Sequence, residues 1–182
     1  ERYMTFLNNV LQGKATLHAD NVAPYELIRP YMTWNWNGPS LETMSKSEKD
    51  ALNASWASLL DFCSDEDMLA VVDTSGSMHS SYGLPAAVAL SLGLYLAEHN
   101  KGRFRNHFIE FSERPQLIRL KGETFVDKLR YILTFDEIAD TNLEAVFQLI
   151  LCVAVKNKLP QKELPGKLVI ISDMEFNVCV TN

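Results

Sequence analysis

Apolar residues fall into two kinds of pattern along this chain, and the change comes near residue 67. Before that point they recur at helical spacing. Tyr3, Phe6, Leu7, Val10 and Leu11 predict a short amphipathic helix ending near Gly13. Pro24 suits the first turn of a second helix reaching Ile28, which Pro30 interrupts. An aromatic, turn-rich passage from Tyr31 to Pro39 follows, with Trp34 and Trp36 close together. Aromatics at such spacing pack into a core more often than they form a binding face. Ser45-Lys46-Ser47-Glu48 has the form of a capping box. From there Ala51, Leu52, Ser55, Trp56, Leu59, Leu60 and Phe62 trace a third helix with one apolar stripe.

Beyond the polar break Ser64-Asp65-Glu66-Asp67 the apolar runs become continuous, as in strands buried on both faces. Met68 to Val72 is the first. Ala86 to His99 is then apolar nearly all round, a helix laid against a sheet, with Gly83-Leu84-Pro85 marking its start. Phe104 to Phe111 and Gln116 to Leu120 read as strands joined by the turn Ser112-Glu113-Arg114-Pro115. Helices are predicted over Thr124 to Leu133 and from Leu143 to about Lys156. An exposed connector with Pro160 and Pro165 leads to a last strand, Leu168 to Ser172. The order strand-helix-strand-strand-helix-helix-strand predicts an α/β fold: a doubly wound, mainly parallel, Rossmann-like sheet with helices on both faces. Residues 1–66 form a helical amino-terminal extension and residues 67–182 the α/β domain. In that arrangement the first and last strands lie side by side, and their carboxyl ends meet at the switch point, where open sheets place ligands.

The chemistry gathers at those ends. Asp73-Thr74-Ser75-Gly76-Ser77-Met78 puts a carboxylate and hydroxyls on a tight turn directly after the first strand. Taken alone, that stretch is also an ordinary turn, with Asp and Ser accepting backbone N–H bonds. Hard oxygen donors on one turn suit a hard cation, Mg²⁺ above all. Thr141 sits at a helix start, where Thr141 or Asp140 would serve as N-cap. Asp173 ends the last strand, with Glu175 two residues on.

These stretches resemble the metal-ion-dependent adhesion site (MIDAS) of von Willebrand factor A (vWA) domains. The resemblance implies direct ligation of Mg²⁺ by Ser75, Ser77 and Thr141, with Asp73 and Asp173 acting mainly through waters. Mn²⁺ or Ca²⁺ is an allowed substitute. Asp140 and Glu175 are candidates for a supporting role around the site. Ser172-Asp173-Met174-Glu175-Phe176, with Lys14 and Pro24-Tyr25-Glu26-Leu27, is similar to a narrower group, the DUF2828 family. That group is distantly similar to the vWA half of TROVE/Ro proteins. The resemblance implies further strands and helices after residue 176, so the carboxyl-terminal part of the fold is expected to be missing. It also implies a non-enzymatic interaction module that binds a partner's Asp or Glu carboxylate through the metal.

Composition narrows the alternatives. The net charge of −6 opposes a main role in binding phosphate backbones, which disfavours RNA association of the Ro/TROVE type. Lys101, Arg103 and Arg105 form the only dense basic cluster. A metal-dependent hydrolase is the third class. Against it, the turn is not a Gly-x-Ser-x-Gly elbow, and nothing is placed to orient His79 beside Ser75 or Ser77. Cys63, Cys152 and Cys179 are widely spaced and indicate neither zinc nor a disulfide framework. Cys152 is expected to be a small buried hydrophobe, and a reducing cytoplasm fits the set. No signal peptide or membrane span is expected; Glu1-Arg2-Tyr3-Met4 reads as the start of a trimmed segment. An uncovered strand 168–172 would be an adhesive edge, so a homo-oligomer or another chain is expected to cover it.

Overall fold

In a computed structural model, residues 2–15, 22–32, 39–63, 67–135 and 142–174 are described. Helices α1 (Arg2–Leu11), α2 (Pro24–Ile28) and α3 (Lys46–Ala57) come first. They are followed by β1 (Met68–Asp73), α4 (Ser80–His99), β2 (His107–Phe111), β3 (Gln116–Arg119), α5 (Phe125–Ile132), α6 (Leu143–Lys156) and β4 (Lys167–Ile171). The strands form a mixed sheet, four-stranded among the described residues, in the order β3-β2-β1-β4. β1 runs parallel to both β2 and β4, and only β3 is antiparallel, as a hairpin with β2.

Side-chain alternation along β1 divides the interior into two layers. Ala70 and Val72 face a large core with α4, α5 and the amino-terminal helices; Leu69 and Val71 face a smaller one with Val146 and Ile150 of α6. Helices thus cover both faces of the sheet. Ile28, Leu52 and Trp56 lie in the same core as Val72 and Leu94, so α2 and α3 share the hydrophobic interior of the α/β region. Trp56 stacks on Phe125 of α5 at 4.2 Å between ring centroids. Its indole N–H donates to Glu98 Oε2 at 2.6 Å. The helix α4 approaches β1 closely: a Cβ on Gly93 would lie 2.3 Å from Val72 Cγ2. Gly76–His99 is long and apolar enough to cross a membrane by length and composition, but it is this core helix, with Ala86, Ala87, Ala89 and Leu94 buried.

Several boundaries differ from the sequence reading, each for a local reason. The helix α3 stops at Ala57, and its expected stripe does not continue through Phe62, which is 81% exposed. Tyr95 of α4 explains the stop: its hydroxyl donates to Leu60 O at 2.6 Å and accepts from Phe62 N at 2.8 Å, drawing the chain out of helical geometry. Strand β2 begins at His107 because residues 103–106 turn, with Asn106 at φ 61°. Ser81, Tyr82 and Gly83 are all left-handed (φ 52°, 57° and 70°), so the regular part of α4 starts after Gly83, near the predicted Gly-Leu-Pro signal. Cys152 is exposed, contrary to expectation, because it lies on the face of α6 turned away from the sheet, next to exposed Leu151. The tryptophans Trp34 and Trp36, and the break at 64–66, lie outside the described residues.

Candidate functional site

Strand β1 carries the site because it is the most deeply buried strand and ends in polar residues. All six of its residues are buried, Asp73 completely. A carboxylate in that position needs hydrogen-bond donors. Among the described residues it has two: Ser75 N–H donates to Asp73 Oδ1 at 2.9 Å, and Ser172 Oγ donates to Asp73 Oδ2 at 2.5 Å. The first bond closes the turn after β1. The second ties it to the residue following β4, so the carboxyl ends of the first and last strands do meet. The Ser172 hydroxyl in turn accepts from Met174 N–H at 2.9 Å, closing a tight turn directly after β4.

Ser75 and Ser77 bring their hydroxyls together, Oγ to Oγ 3.2 Å. Ser75 is buried; Ser77 is partly exposed. Neighbouring oxygens in an octahedral shell with Mg–O bonds of 2.0–2.1 Å stand about 2.9 Å apart, so this spacing is compatible with two ligands of one hard cation. The donor set is neutral hydroxyl oxygen backed by carboxylate. Among the described residues, no three His, Cys, Asp or Glu side chains gather as a site of the all-charged kind.

Behind the turn lies a polar cluster that the sequence reading did not single out. Glu110, the penultimate residue of β2, is buried, and its carboxylate accepts from Thr74 Oγ1 at 3.0 Å and from Ser112 Oγ at 3.1 Å. Thr74 is held at its other end too, where its carbonyl accepts from His79 Nε2 at 3.2 Å. Parallel pairing sets Asp73 opposite Phe111 and Val72 opposite Glu110, which puts this acid beside the β1 terminus. The available signal was an acid in an otherwise apolar strand, Phe108-Ile109-Glu110-Phe111.

Of the sequence candidates, Asp73, Ser75 and Ser77 lie together on the turn after β1. Asp173 follows Ser172 and is exposed; the group of that strand end bonded to Asp73 is Ser172. Asp140, Thr141 and Glu175 lie outside the described residues. The cap of α6 is neither Asp140 nor Thr141 but Asn142, whose side chain accepts from Ala145 N–H at 3.0 Å. The basic residues Lys101, Arg103 and Arg105 precede the amino end of β2, on the edge of the sheet opposite the Asp73 turn.

Comparison with known proteins adds family membership. A protein of Acanthamoeba polyphaga mimivirus, itself described as uncharacterised, is 30% identical over 177 residues. The match covers 97% of this chain and 29% of the viral protein, so the chain spans less than a third of that relative's length. No solved structure matches. The family profile that matches carries a description other than the DUF2828 named from sequence, and it covers residues 67–182, which include the sheet and the Asp73 turn. The chain belongs to the family described as domain of unknown function DUF7788.

Proposed function

We propose that this chain is a non-enzymatic interaction module of vWA type, doubly wound, binding a partner's Asp or Glu carboxylate through Mg²⁺ at the Asp73 turn. The observation that carries this reading is the Ser75–Ser77 hydroxyl pair, 3.2 Å apart above a buried, doubly bonded Asp73. Ser75 and Ser77 would hold the ion directly, with Thr141 as a third hydroxyl and Asp73 and Asp173 supplying negative charge behind water. A bound divalent cation supplies a Lewis-acidic position for an incoming anionic oxygen. The chain's own part is to preorganise the oxygens: Ser172 and Ser75 N–H fix the Asp73 carboxylate, so little reordering accompanies binding.

Titration calorimetry with Mg²⁺ and Mn²⁺ tests the reading. Saturable binding is expected for the 182-residue chain, with loss in the Ser75→Ala/Ser77→Ala double variant. These serines are better targets than Asp73, whose removal would orphan Ser172 as well. No binding heat and no rise in Tm at millimolar metal would overturn the proposal.

A further inference from the structure

Within the turn, Thr74 carries a buried side-chain bond to strand β2. Its hydroxyl donates to Glu110 Oε1 at 3.0 Å, and its carbonyl accepts from His79 Nε2 at 3.2 Å. Both Thr74 and Glu110 are buried, and Ser112 Oγ steadies the other carboxylate oxygen at 3.1 Å. The clamp therefore grips Thr74, between Asp73 and Ser75, from one strand, β2, and from the helical turn that ends at His79. Rotation about that unit would swing the Ser75 hydroxyl away from Ser77. We propose that Glu110 and Thr74 are positioning residues that set the geometry of the Ser75–Ser77 oxygen pair for cation binding.

This inference rests on the metal reading above, and it adds Glu110 of β2 to the residues around the Asp73 turn. The physical argument is preorganisation. Ser75 and Ser77 are neutral, weak ligands, so affinity depends heavily on holding both oxygens at ligand spacing before the cation arrives. An unclamped turn would populate other φ/ψ combinations, since Gly76 between the two serines restrains little. Partners that orient ligands typically change metal affinity by about 10- to 100-fold when removed.

The test measures Mn²⁺ and Mg²⁺ affinity by calorimetry on the 182-residue chain, with Tm in EDTA as a separate readout. Thr74→Val, which keeps the shape and removes the hydroxyl, is expected to weaken metal binding about tenfold. Thr74→Ser, which keeps the donor, should restore affinity to within about threefold, and Glu110→Gln, which keeps an acceptor for Thr74, should behave likewise. Glu110→Ala should match Thr74→Val. A merely structural role would lower Tm in EDTA yet leave the affinity of the folded protein unchanged, and that result overturns the clamp while leaving the metal reading in place. Absence of metal binding in the unaltered chain overturns both. Should Thr74→Val fail to fold, the Glu110→Gln and Glu110→Ala pair decides the question.

Discussion

Strands β1 and β4 are near twins that ended in different surroundings. Leu69-Ala70-Val71-Val72 pairs, residue for residue, with Leu168-Val169-Ile170-Ile171, and each strand gives way to acid and hydroxyl groups. Yet β1 is buried along its whole length, whereas β4 is exposed at Lys167 and half-buried from Leu168 to Ile171. Among the described residues β1 has a strand on either side, and β4 has one only. Hydrophobic stabilisation follows area removed from water, so equal apolar content is worth different amounts in the two strands. Apolar runs reveal strands; neighbours decide their energetic rank.

The largest expected effect tests that difference at one register pair. Leu69 and Leu168 lie opposite each other and face the same core layer. Leu69→Ala should cost about 2–5 kcal/mol, because a fully buried leucine leaves a cavity. Leu168→Ala should cost less than about 1 kcal/mol, since its site is already partly open to water. Urea unfolding of both variants measures the gap. Equal losses would break the comparison and mean that β4 is covered in solution, by a second copy or another chain.

A smaller effect concerns the join between the twins. Ser172 is the hydrogen-bond partner that β4's end offers to the buried Asp73 carboxylate. Ser172→Ala leaves Asp73 Oδ2 short of that donor, at an expected loss of about 1–2 kcal/mol by urea unfolding. Asp173→Asn, at an exposed position, should change stability by less than about 0.5 kcal/mol. Reversal of that order would show that Asp173, not Ser172, joins the strand ends.

The sequence made the parallel β1–β4 neighbourhood legible because two continuous apolar runs ending in acids have few arrangements in an α/β chain with right-handed crossovers. It also marked the start of regular helix after Gly83 and the span of α6. It did not mark Ser172 or Glu110. A serine after a strand and an acid within one become meaningful only when register sets them against Asp73 and Thr74, and register is a tertiary property. The early end of α3 was hidden for the same reason. Leu59, Leu60 and Phe62 continue a helical period, and only the Tyr95 hydroxyl, from a helix far along the chain, draws their backbone away.

The smallest effect separates the helices that cover the two faces. The helix α5 lies on the thicker layer and begins with a capping box: Thr124 Oγ1 accepts from Asp127 N–H, and the Asp127 carboxylate accepts from Thr124 N–H and Oγ1. Those bonds hold the Asp127 carboxyl below its ordinary range. The helix α6, on the thinner layer, is capped by the neutral Asn142. A depressed carboxylate favours the folded state above its unfolded pKa, and that stabilisation is lost as pH falls through the folded value. Thr124→Ala should therefore destabilise by about 1 kcal/mol at pH 7 and by clearly less near pH 3. Asn142→Ala should also cost about 1 kcal/mol, but by nearly the same amount at both pH values, because the capping Asn142 side chain does not ionise. Urea midpoints at the two pH values distinguish the caps. A pH-independent loss for Thr124→Ala would show that backbone capping alone, without the Asp127 charge, holds the start of α5.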